Sequence, residues 1–102
     1  NRQMLHIINK SPLMNNSLDS CLRVAKSGGE ILLIEDAVYA AASGSAFEGK
    51  IREAMGRFKI FALQPDLDAR GLGDRIIAGV SPVDYGGFVD LVAANRNCQS
   101  WL

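Results

Sequence analysis

Ile31-Leu32-Leu33-Ile34 is an unbroken apolar run, with Gly28-Gly29 ahead of it and Glu35-Asp36 behind it. A run without polar alternation suits a strand covered on both faces, the position of a strand inside a parallel sheet. Parallel neighbours need crossovers long enough to hold a helix. The segments around this run should therefore alternate strand with helix.

Met4-Leu5-His6-Ile7-Ile8 is short, mostly apolar, and ends in the turn cluster Asn9-Lys10-Ser11-Pro12. It reads as a buried first strand. Leu18, Cys21, Leu22 and Ala25 then recur at i, i+3, i+4 and i+7, the period of one helix face. Ser17 is the expected N-cap, Asp19 complements the helix dipole, and Gly28-Gly29 is the expected stop. After the Ile31 run, Ala37 to Ala42 is helix-prone up to Ser43-Gly44-Ser45. Phe47, Ile51 and Met55 at fourfold spacing predict another helix, ending near Gly56.

Lys59 to Leu63 reads as a third strand. Gln64-Pro65 opens a short helix, with Asp66 and Asp68 early, Arg70 late and Gly71 as terminator. Ile76-Ile77 and Val80-Ser81-Pro82-Val83 are weaker strand candidates, and Pro82 confines the second to an edge. Asp84 should cap a last helix carrying Tyr85, Phe88, Leu91 and Val92 on one face. The tail closes on Trp101-Leu102, an apolar pair expected to dock on the body. The expectation is one α/β domain over residues 4–102, a three-layer α/β/α arrangement whose mostly parallel sheet has about five strands. Asn1-Arg2-Gln3 precede Met4 as an N-terminal extension or cloning remnant and are left outside this reading.

Eleven basic and eleven acidic residues cancel. Such a chain has no general attraction for nucleic acid or anionic lipid, and no Lys/Arg cluster supplies a local one. The Ile31 run is too short to span a bilayer, so no membrane partner is expected. Cys21 and Cys98 stand far apart, no CxxC occurs, and His6 is the single histidine. No metal site and no cofactor are expected from so few soft ligands. One disulfide is arithmetically open to the two cysteines, but the chain has no signal-peptide pattern and is not cysteine-dense. A reducing cytoplasm is the expected compartment.

Chemistry in parallel sheets gathers at the carboxyl ends of the strands. Here those ends are Asn9-Lys10-Ser11, Glu35-Asp36, Gln64-Pro65-Asp66 and Asp84-Tyr85. Turns and caps use the same residue types, so the pattern is equally that of ordinary loops. Gly71-Leu72-Gly73 lacks the third glycine of a dinucleotide loop and precedes a strand candidate instead of following a strand. A lone strand histidine such as His6 is usually packed and hydrogen-bonded. Glu35 and Asp36 are adjacent, which points their side chains apart and argues against a cooperating pair. Cys21 has two readings. It lies about one turn inside a helix N-terminus, where dipole and free N–H groups favour a thiolate, which makes it the candidate catalytic residue. It also shares its face with Leu18 and Leu22, which fits simple packing.

"MLHIINKSP", "ILLIEDAVYAA", "ALQPDLDARGL", "VDYGGFVDLV" and the ending "CQSWL", in this order and spacing, resemble the DsrH/TusB family. The similarity runs from Met4 to Leu102. It implies an α/β/α fold and a cytoplasmic heterohexamer built with DsrE/TusD-like and DsrF/TusC-like subunits. Members of the family act in sulfur relays, passing persulfide sulfur toward tRNA wobble-uridine 2-thiolation or serving dissimilatory sulfur oxidation. The principal acceptor cysteine is expected on the DsrE/TusD-like subunit, and a DsrC/TusE-like protein is the next carrier. Members of the sulfur-oxidation branch have a cysteine matching Cys21 and members of the tRNA branch commonly lack it, so the resemblance tilts toward the DsrH-like side and makes Cys21 a candidate persulfide carrier. The family often has glycine where this chain has Ala37, and Pro82 is a second departure from its pattern.

Overall fold

The computed structural model describes residues 4–95 and 97–101. Five strands form one all-parallel sheet: β1 (Met4–Ile8), β2 (Glu30–Leu33), β3 (Lys59–Leu63), β4 (Ser81–Val83) and β5 (Asn97–Trp101). Their order across the sheet is β4-β3-β2-β1-β5. Between them lie α1 (Ser17–Val24), a 3-10 helix (Glu35–Ala41), α2 (Glu48–Ala54), α3 (Gln64–Ala69) and α4 (Tyr85–Ala94). The first four strands step outward one by one, and the connection through α4 then returns across the whole sheet. Right-handed crossovers place helices of opposite travel on opposite faces. The α/β layers follow from that rule.

On one face, the side chains of Ile8, Ile31, Leu33, Ile60 and Ala62 pack with Leu18 and Cys21 of α1, Ala37 and Val38 of the 3-10 helix, and Ile51 of α2. Leu5 and Leu32 point to the other face, where Asn95 at the end of α4 donates to Glu30 Oε1 at 2.7 Å. No helix among the described residues is long and apolar enough to cross a membrane.

Most elements lie where periodicity puts them, and the differences have local causes. Asn16 occupies the N-cap position of α1 without a side-chain cap bond, and the predicted cap Ser17 sits inside the first turn, its amide donating to Asn15 Oδ1 at 2.6 Å. The helix ends at Val24, ahead of the glycines, because Arg57 reaches across from the α2–β3 turn. Its guanidinium donates to Leu22 O at 3.0 Å and Ala25 O at 2.9 Å, the carbonyls a helix end leaves open. Gly29 holds its place for a different reason: a Cβ there would stand 2.8 Å from Met4 O. Ile76-Ile77 is not a sheet strand; Ile76 makes one isolated antiparallel bridge to Ala42. The fifth strand is the tail itself, which pairs along β1 from Met4–Asn97 to Ile8–Trp101. Leu102 lies outside the described residues. β4 is short and at the edge, as Pro82 requires.

Candidate functional site

Cys21 lies in the middle of α1 and is fully buried. The thiol's pKa is pushed up to about 11, because burial penalises the thiolate more than the nearby Arg57 charge favours it. At neutral pH this cysteine is therefore a thiol, the poorly nucleophilic form. Cys98 is exposed on β5.

His6 is buried between two aromatic rings. Phe58 meets it edge-on at 6.3 Å between centroids, and Trp101 lies tilted at 6.1 Å. Trp101 Nε1 donates to His6 Nδ1 at 3.1 Å, so the ring's acceptor lone pair is already used. Burial lowers the pKa of His6 and keeps it neutral. It is the packed, hydrogen-bonded strand histidine of the sequence reading.

The carboxyl ends of β1, β2 and β3 do converge. Asn9 Nδ2 donates to Glu35 Oε1 at 3.3 Å, and the Glu35 amide donates to Asp66 Oδ2 at 2.7 Å. Arg70 binds Asp36 Oδ1 at 2.9 Å and its own helix carbonyl, Asp66 O, at 3.0 Å. Glu35 and Asp36 thus go to separate partners. Glu35 also has φ at +50°, in the left-handed region where residues with a Cβ are uncommon. The special angle of this loop falls on Glu35, and Ala37 is an ordinary buried residue of the 3-10 helix. Asn9 Oδ1 is buried with no partner among the described residues. Asp84 accepts from Gly87 N at 2.8 Å as the cap of α4.

Arg57 and the Trp101–His6 bond carry no signal in the sequence. Each is a pairing over 30 residues or more, with the contacts of Arg57 spanning 30 to 35 positions and the Trp101–His6 bond spanning 95. No local pattern encodes such a contact. The outer face of α4 departs from expectation as well. Phe88 and Leu91 are half-buried, while Tyr85, Val89 and Val92 form an exposed apolar stripe.

The model of the family described as DsrH like protein matches residues 10–98. This chain belongs to the DsrH family. Among its curated relatives, Protein TusB of Escherichia coli O1:K1 is 37% identical over 98 residues, covering 96% of this chain and all of the relative. Protein TusB of Shigella flexneri is 36% identical over the same span. The solved structure of the ychN protein from E. coli shares the fold with a TM-score of 0.87 at 17% identity, covering 98% of this chain and 99% of that one. Protein MTH1491 of Methanobacterium thermoautotrophicum, described as of unknown function, superposes with a TM-score of 0.66 at 20% identity, covering 96% and 97%. The all-parallel five-stranded α/β architecture of this DsrH-family chain is thus shared with structures of very different sequence.

Proposed function

We propose that this DsrH-family chain is a subunit of a cytoplasmic sulfur-relay complex, and that its work there is assembly. One observation carries the assembly role: α4, the helix on its face of the sheet, turns Tyr85, Val89 and Val92 outward at 60%, 64% and 41% exposure. An apolar stripe of this kind on a folded chain marks a protein contact. DsrE/TusD-like and DsrF/TusC-like chains in a heterohexamer are the partners that fit the family, with a DsrC/TusE-like carrier as recipient. Relatives named TusB favour the tRNA 2-thiolation branch over sulfur oxidation.

In this reading Cys21 fills the core of α1, and the persulfide travels on another subunit. Its burial and its raised pKa support packing over sulfur transfer.

Co-expression with the two sibling chains tests both parts. The wild type is expected to co-purify with them, and Val89→Asp to be lost from the complex while still folding. A persulfide donor is expected to leave Cys21 unmodified in the assembled complex, as read by intact-mass and peptide mass spectrometry. A chain that stays solitary beside its siblings would overturn the assembly role. Added sulfur on Cys21, abolished by Cys21→Ala, would restore the carrier role.

A further inference from the structure

A groove of about 460 Å³ runs along β5, on the face that carries α1. It lies between the C-terminal end of α1 with the loop that follows and the β1–β5 edge of the sheet. Its floor includes His6, Asn97, Gln99 and Trp101, and the loop after α1 supplies Lys26 and Ser27 as a wall. The polar content is one-sided. Lys26 brings an ammonium, Asn97 and Gln99 bring amides, and no carboxylate side chain lines the groove among the described residues. Lys26 makes no ion pair among the described residues. The Trp101–His6 hydrogen bond adds a further donor. With Nδ1 accepting from Trp101, the neutral ring carries its proton on Nε2, which has no partner among the described residues. Phe58 and Trp101 hold that ring in place from two sides. The Trp101 ring is itself only partly buried and lines the same groove.

We propose that this groove binds a small organic anion, with its acidic group toward Lys26 and its apolar body against Trp101. Small-molecule sites have this make-up: about 300–1,000 Å³ of concave, largely apolar wall with a few convergent polar groups. A cation and N–H donors without a competing carboxylate select for negative charge. The groove lies along the edge strand, apart from the Glu35–Asp66–Arg70 network, and the proposal does not depend on the relay reading.

Trp101 is the chain's single tryptophan, so the site reports on itself. The intact protein is titrated with anilinonaphthalene sulfonate while the fluorescence of Trp101 is followed. The titration is repeated with phenylnaphthylamine, which has the same rings and no sulfonate. The expected result is saturable quenching by the sulfonate, about tenfold tighter than by the neutral probe. Lys26→Glu should weaken the sulfonate by about tenfold, the size of one lost charge-assisted contact. Lys10→Glu, the same charge change on an exposed residue outside the groove, should leave it unchanged. Circular dichroism checks that both variants keep the fold. Equal affinity for the two probes, absence of saturable quenching, or equal responses of the two lysine variants would each overturn the proposal.

Discussion

The two faces of the sheet are built from the same alternating strands and end in different states. On one, α1, the 3-10 helix and α2 close over Ile31, Leu33 and Ile60 and bury them, leaving a groove along the β5 edge. On the other, α4 covers the sheet with no fully buried residue of its own. Its apolar residues are divided between Phe88 and Leu91, which face inward, and Tyr85, Val89 and Val92, which face out. The first face needs nothing further to fold. The second shows what a helix looks like when its sequence answers to two surfaces at once. An apolar stripe wider than the chain itself can bury is a sign that something else covers it.

The largest expected contrast comes from the closed face. Ile51→Ala, in the fully buried part of α2, should cost about 2–5 kcal/mol in chemical denaturation, the range for an emptied core position. A loss comparable to that of a surface substitution would show that this face is looser than its burial implies. On the α4 side the helix cap is the sensitive point. Asp84→Ala removes the carboxylate that accepts from Gly87 and should cost about 1 kcal/mol. Hydrogen exchange should localise that loss to α4 and leave the α1–α2 face protected.

A smaller effect separates the faces by pH. His6 is on the closed face, and its folded-state pKa lies below the ordinary 6.5. The unfolded chain therefore binds a proton first as pH falls, so stability drops as pH goes down through 6.5 toward the folded value, and is fully present above 6.5. The slope should vanish in His6→Gln, measured as unfolding midpoint against pH. The least effect on the isolated chain belongs to Val89→Asp. Its stability should stay within about 0.5 kcal/mol of wild type, since the side chain touches mainly solvent. A large destabilisation there would mean that the stripe supports the fold and has no need of a partner.

How much of this was legible depends on where the information sits. β2 and β3 announce themselves by unbroken apolar runs, and α3 by Pro65 at its start and Gly71 at its end. These signals are local. β5 was not legible, because Asn97, Cys98, Gln99 and Ser100 are exposed on an edge strand and carry no buried period. Its place is set by pairing with β1 and by Trp101 meeting His6 across nearly the whole chain. The convergence of Asn9, Glu35 and Asp66 was legible as strand ends. The left-handed turn at Glu35 was not, since such turns are usually read from glycine. For Cys21 the spacing allowed both a core and a reactive position, and its burial in α1, which no local pattern states, is what supports the first.

The pairing of the first strand with the last has a consequence for biosynthesis. β1 cannot gain its outer neighbour until residues 97–101 have been made. Until then the nascent chain presents a mostly apolar β1 with one side open, the kind of template on which other chains stack. Premature termination or C-terminal clipping just upstream of Asn97 would leave that side open permanently. Completion of the sheet on that side of β1 therefore hinges on residues 97–101.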